Sequence, residues 1–278
     1  MDTPWRQITI AFPDWDSAER TALTRLAPIL ATAEAARLIG PWFFLRKAPH
    51  WRIRYQPPGD QPTAETHILK ALGPLQHAQH ITAVTPVIYE PETHAFGGPE
   101  AMTCAHRLFH LDSRHLIDHL TRHPDRPRRR ELSILLCTAL LRAAGLDWYE
   151  QGDVWARVAD HRDPPRPQPA DRLKTLRDGL RHLMIADIAQ LTREDAPFNV
   201  PAAWPHAFTT TGRELAALAA AGRLHRGLRE VLAHHVIFAF NRLGLPHAAQ
   251  AILAAGAKAV VFGPDPTSED PSAPGAAA

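Results

Sequence analysis

Residues 5–12 (WRQITIAF), with hydrophobic and polar positions mixed along them, read as a short strand. Asp14 or Asp16 can then cap a helix, and Ala22, Leu23, Leu26, Ile29, Leu30 and Ala33 recur at helical spacing, which predicts a helix through Arg37. Past Gly40-Pro41, residues 42–46 (WFFLR) and 51–55 (WRIRY) read as two strands parted by the turn Lys47-Ala48-Pro49-His50. Asp60-Gln61-Pro62-Thr63 offers a cap and an early proline for a helix to about Gln79. Residues 81–89 read as a strand, with Thr82, Val84, Thr85, Val87 and Ile88 supplying β-branched side chains. The resulting β-α-β-β-α-β order is that of the ferredoxin-like fold, which serves many functions and by itself names none.

Beyond Gly97-Gly98 the pattern turns helical, over 101–119, 131–144, 171–191, 212–224 and 226–243. The fold class expected is α+β, with a ferredoxin-like half at 1–98 packed against a mainly helical half at 99–262. The proline-rich link 163–169 reads as a stiff surface crossover within the helices, and 263–278 as a disordered tail by composition. No internal repeat stands out.

Composition narrows the picture. A hydrophobic content of 45% over 278 residues supports a real core and excludes collagen, coiled coil and wholesale disorder. Lys+Arg 31 against Asp+Glu 29 leaves +2, too little to mark a nucleic-acid binder, although 17 histidines add charge below about pH 6.5. Cys104 and Cys137 lie in apolar helical stretches without CxxC spacing, which argues against a disulfide framework or a Cys-rich zinc site. The start MDTPWRQITIAF lacks a basic-then-apolar signal, and no long uncharged apolar run occurs, so a cytoplasmic chain with no membrane span is expected.

Several residues carry candidate chemistry. Arg52 and Arg54, two apart on a strand, point to one face and together make a receptor for carboxylate or phosphate, unless they are a solvated strand face. Arg46, Lys47 and His50 nearby add to the positive field. Residues 89–100 (YEPETHAFGGPE) combine Glu90, Glu92, His94 and two glycines ahead of a helix, either a site or a turn. His106 and His110, and then His115, His119 and His123, recur four apart, but with no zincin glutamate and with Arg107, Arg114 and Arg122 beside them no metal site is expected. Arg126-Pro127-Arg128-Arg129-Arg130 reads as a flexible solvated connector, with contact to RNA or an acidic peptide as the rarer alternative. His234 and His235 sit in an apolar helix about 100° apart, so the two do not face one cleft; one serves as general acid or base, or one is a satisfied core residue and the other exposed. Dinucleotide and P-loop fingerprints are missing around Gly97-Gly98.

The opening Trp5 strand, WFFLRK, HWRIRY, YEPETHAFGGPEAM, the LFHLDS helix and HHVIFAFNRLGL occur in an order that resembles the carboxyl-terminal elimination domain of class I lantibiotic dehydratases, and in particular the stand-alone thiopeptide-type bacteriocin biosynthesis proteins. The resemblance implies a lyase that works on a ribosomal precursor peptide, expelling glutamate from glutamylated Ser or Thr to leave a dehydroamino acid. It also implies a separate glutamylating dehydratase subunit, no cofactor and no direct contact with nucleic acid. A second branch of that superfamily joins two dehydroalanines in a [4+2] cycloaddition to form a pyridine, and a third reading is a module that only binds the peptide by strand addition. By the same resemblance Arg52 and Arg54 hold the glutamyl carboxylate. Two family features are absent: an arginine at the position of Ala95, and a His-Met-His-x-Asn-Arg-Leu pattern where this chain has Ile237 to Leu243. His94, His234 or His235 is then the candidate acid or base.

Overall fold

A computed structural model describes residues 5–59, 63–125, 128–165, 168–188, 192 and 200–263. Strands β1 (Arg6–Ala11), β2 (Trp42–Lys47), β3 (His50–Tyr55) and β4 (Ala83–Val87) form one antiparallel sheet in the order β2-β3-β1-β4. Helices α1 (Trp15–Thr21) and α2 (Ala27–Ala35), joined through a π-helical stretch Ala22–Leu26, link β1 to β2, and α3 (Thr63–His77) links β3 to β4. The predicted β-α-β-β-α-β order is therefore the observed one.

Local chemistry sets the boundaries. Asp14 is the cap, accepting from the amides of Asp16 and Ser17, while Asp16 lies in the first turn, where its charge meets the positive helix end. The helix expected to reach Arg37 stops at Ala35, because Arg37 takes a φ of +56° and turns the chain out of the helix. Gln79, also at φ +56°, does the same just after α3. The expected cap at 60–62 lies outside the described residues, as do Arg126-Pro127, residues 166–167 of the proline-rich link and the tail from 264.

The period of two sorts the sheet into two faces. One carries Ile8, Ile10, Trp42, Phe44, Trp51, Ile53 and Tyr55, all at 3% exposure or less. Trp42 on this face reaches Glu34 of α2 through its indole N–H, and Arg46 reaches Glu19 of α1. The other face carries Gln7, Thr9, Phe43, Lys47, Arg52 and Arg54.

The helices that follow are α4 (Pro99–Arg122), α5 (Arg129–Ala143), α6 (Trp148–Asp160), α7 (Ala170–Ile185), α8 (Ala203–Ala220), α9 (Leu228–Leu243) and α10 (His247–Phe262). Helix α4 covers the outer edge of β2, where Ser113 Oγ accepts the amide of Phe44 and His110 Nδ1 lies 3.1 Å from the amide of Trp42. Helices α6 and α10 do not appear in the periodicity reading, and α8 begins at Ala203 rather than 212. Pro205 is tolerated in the first turn of α8, where its missing amide costs nothing. The partners α6 and α10 pack through Gly152, at which a Cβ would come within 2.6 Å of Val261.

Helix α9 runs through the centre, with Val231, Leu232, Val236 and Phe240 fully buried. Near its end Arg242 donates to Asp112 at 2.6 Å, both side chains at 0% exposure, and Trp204 donates to the other Asp112 oxygen at 2.8 Å. Arg242 therefore anchors this helix to α4, Asn241 Oδ1 accepts from Gln250 Nε2 of α10, and Gly244 closes the helix in the left-handed conformation, at φ +71°.

Candidate active site

Arg54 projects from β3 onto two aromatic rings, its guanidinium carbon 4.4 Å from the ring centre of Tyr89 and 5.5 Å from that of Phe43. Its Nε donates to Gln7 Oε1 at 2.7 Å across the ladder, which fixes the orientation of the fork. The residue is 5% exposed; burial pulls its pKa below the usual arginine value, and Tyr89 and Glu92 act in the opposite sense. A guanidinium this desolvated binds a carboxylate more strongly than one in water. Arg52 lies on the same face, half-buried, paired with Thr9 and Leu45 on the flanking strands.

Burial pushes the Tyr89 phenol up to about 12. Its hydroxyl lies 2.8 Å from His106 Nε2, and His106 is held down to about 4 by burial and then by the charge of Arg54, so this imidazole is neutral near pH 7. The Trp5 ring lies against His106, their centres 4.4 Å apart. Beyond Tyr89 stands Glu92, whose carboxylate lies 3.3 Å from His234 Nε2 of α9. That hydrogen bond lowers the pKa of Glu92 against the effect of burial, helped by the charges of His234, Arg54 and Lys47. His234 is wedged by the rings of Phe96 and Phe238, at 5.2 and 5.7 Å, with 18% of its side chain exposed. A continuous line thus runs from the sheet to the helices: two guanidinium groups, a phenol, a carboxylate and an imidazole held by that carboxylate.

Gly97 and Gly98 dock the loop that carries Tyr89 and Glu92. They take φ of +86° and +110°, and a Cβ on either would meet Leu224 at 2.7 Å or His225 at 2.8 Å. The amide of His225 donates to Gly97 O at 2.9 Å, and Glu100 pairs with Arg223. The glycines serve close packing between this loop and the α8–α9 connection.

Of the residues singled out in the sequence, Arg52, Arg54, Glu92 and His234 share this line. His50 is half-buried at the start of β3, on the same face and paired with Lys47. Arg46 is a correction: it pairs with Trp51, not with an even-numbered β3 residue, so it emerges on the opposite face and binds Glu19. His235 is a second correction. It is 1% exposed, has no partner for either ring nitrogen among the described residues, and is held down to about 3 by burial first and then by Arg242 and His234. It is a neutral core residue that touches Phe96 and Phe109. His94 is exposed in the loop. Gln7 and the pairing of Tyr89 with His106 escaped the sequence reading, because each is created by contacts distant in sequence. Of the other histidines, His115 and His119 pack on Trp204.

The sequence profile described as Lantibiotic biosynthesis dehydratase C-term matches residues 5–261. The chain belongs to this family. No curated protein sequence matches this family member. Among solved structures it is similar to the tRNA dependent lantibiotic dehydratase MibB from Microbispora sp. 107891, with 19% identity and a TM-score of 0.65 over 94% of this chain and 28% of that one. It is also similar to TsrL (18% identity, TM-score 0.59) and to TbtD, the pyridine synthase from thiomuracin biosynthesis (16%, 0.58), each time over 94% of this chain and 99% of the other. At these identities the likeness is one of fold, and the family member spans under a third of the length of MibB. Ile237 and Ala239 of α9 are 7% and 1% exposed. Beside Ala95, the carbonyl accepts from Arg226 Nη1 at 3.4 Å. Among the described residues no helix is long and apolar enough to cross a membrane.

Proposed function

We propose that this family member acts on a ribosomal precursor peptide in the cytoplasm and expels glutamate from glutamylated Ser or Thr. The observation that carries the reading is the juxtaposition of the desolvated Arg54 with the Glu92–His234 pair. Arg52 and Arg54 hold the carboxylate of the glutamyl ester. His234 takes the proton from Cα of the esterified residue, and Glu92 stabilises the imidazolium that forms. The electron pair of the Cα–H bond becomes the Cα=Cβ bond, the Cβ–O bond breaks, and glutamate leaves as a carboxylate against the guanidinium groups. The family resemblance supports a glutamylating dehydratase subunit as the source of the glutamyl ester.

The test is mass spectrometry of a glutamylated precursor peptide after incubation with the purified chain. Loss of glutamate is the expected result, and an unaltered peptide overturns the reading. Cycloaddition of two dehydroalanines is the second reading, favoured by Ala95, Ile237 and Ala239, where the family's groups for gripping and protonating glutamate are replaced. A peptide already carrying two dehydroalanines, offered in parallel, separates the two by forming a pyridine. The strand-addition reading is the weakest. The uncovered outer edge strand β4 contains Pro86, which has no amide to donate to an added strand.

A further inference from the structure

A groove of about 510 Å³ opens on the other side of the sheet, where the β2–β3 hairpin, α1, the start of α5 and the α9–α10 turn meet. Its walls include Trp15, Glu19, Arg46, Trp51, Arg129 and Gly244. Nothing in the proposed elimination uses it.

Arg46 is the unusual member. Its side chain is 8% exposed, and its guanidinium lies 4.6 Å from the ring centre of Trp51. Glu19 bridges two arginines, one oxygen on Arg46 Nη1 and the other on Arg129 Nη2, and Arg129 Nη1 donates to Leu243 O at 2.8 Å. Gly244 permits this approach, since a Cβ there would lie 2.6 Å from Arg46 Nη1. Glu19 therefore engages only one corner of Arg46. Its Nε and Nη2 are buried with no hydrogen-bond partner among the described residues. Those two atoms carry the parallel N–H bonds of one complete side of the guanidinium fork, the geometry that grips both oxygens of a carboxylate. Leaving such donors buried and unpaired is costly, so a vacant fork in a groove wall calls for an acceptor. The neighbouring amides do not supply one: Gln250 Oε1 is taken by Arg162, and Asn241 Oδ1 by Gln250 Nε2.

The geometry points to a second binding site, in which the free Nε–Nη2 edge of Arg46 takes a carboxylate that enters the groove between Trp15 and the α9–α10 turn. The ligand is a carboxylate-bearing peptide terminus or a free amino acid, held on a guanidinium already stacked on Trp51. Arg46 and Arg129 offset the charge of Glu19 and of exposed Asp16 at the rim. The site is independent of the Arg54 line, which lies on the opposite face.

The full chain, labelled so that the arginine Nε–H resonances are resolved, is titrated with N-acetyl-trialanine acid, with the carboxamide of the same peptide, and with free glutamate. The acid or glutamate shifts the Arg46 resonance and saturates, and the carboxamide binds at least about ten-fold more weakly. Binding by the peptide acid alone identifies a peptide terminus, and binding by glutamate alone an amino acid. Arg46→Lys, which keeps the charge and loses the fork, weakens the bound probe about ten-fold. If that variant fails to fold, the acid and amide contrast on the native chain decides. An unmoved Arg46 resonance, equal binding of acid and amide, or loss of the Arg46 shift in Arg54→Ala overturns the proposal.

Discussion

The two faces of the sheet are built from the same strands yet do opposite work. On one, Ile8, Ile10, Trp51 and Ile53 are sealed into core; on the other, one residue along in each strand, stand Gln7, Thr9, Arg52 and Arg54, with Arg54 bonded to Gln7 and lying on the Tyr89 ring. The lesson is that the period of two separates stability from chemistry within a six-residue strand, so adjacent positions respond to substitution in different ways. The sharpest way to break the comparison is on β3. Ile53→Ala removes a side chain at 2% exposure and is expected to lower stability by about 2–5 kcal/mol, read by urea unfolding with the slope unchanged. Arg54→Ala is expected to cost about 100-fold in glutamate elimination, or roughly 3 kcal/mol of barrier, with a smaller shift of the unfolding midpoint than Ile53→Ala. Comparable midpoint shifts with full turnover in Arg54→Ala would show that both faces are merely core. His234→Ala is expected to lower turnover by about 100-fold at an unchanged midpoint, measured in the same elimination assay.

The contrast was half legible in the sequence. Alternation alone placed Arg52 and Arg54 together and set Trp51, Ile53 and Tyr55 against them. It did not place Arg46, whose side depends on the register across the hairpin: Lys47 pairs with His50 around Ala48-Pro49, which aligns Arg46 with Trp51. Register is a property of the turn, and the positive charges near it gave no hint of it. The same holds on α9. The angle between His234 and His235 showed that both do not face one cleft, but which one does depends on Glu92, which arrives from a loop far away in sequence and lies 3.3 Å from His234 Nε2, while His235 is 1% exposed. Glycine pairs posed a similar limit, since the need for Gly97 and Gly98 becomes visible only once Leu224 and His225 close over them.

His235 extends the comparison from the sheet to the helix, because its neighbour His234 has a carboxylate partner and it has none. Its folded pKa of about 3 lies below the ordinary histidine value, so the unfolded chain binds the proton first. The stability this contributes is present above about pH 6.5 and is lost as pH falls toward 3. Arg242 and His234 are the charged or titratable groups that hold it down besides burial, and His106, at about 4, adds a loss of the same sign. His235→Leu removes two unpartnered polar atoms, so it is expected to leave stability at pH 7 equal or higher and to flatten the fall between about pH 6.5 and 4 by up to about 3 kcal/mol. Urea midpoints across that range check it, and an equally steep fall in the variant would assign the acid lability elsewhere.

Tyr89→Phe tests the smallest difference between the faces, the worth of one hydroxyl. The ring that supports Arg54 is kept, and only the 2.8 Å contact with His106 is lost. Because that imidazole is held neutral by burial, removing its partner leaves a neutral ring nitrogen without a hydrogen bond rather than a stranded charge. The expected loss of stability is therefore about 1 kcal/mol. The cation–π contact with Arg54 survives in phenylalanine, so elimination is expected to fall by no more than a few-fold, on the order of 1 kcal/mol of barrier. A fall as large as that of Arg54→Ala would mean that the phenol itself delivers or accepts a proton in the reaction, and the chemical face of the sheet would then gain a participant from outside its strands.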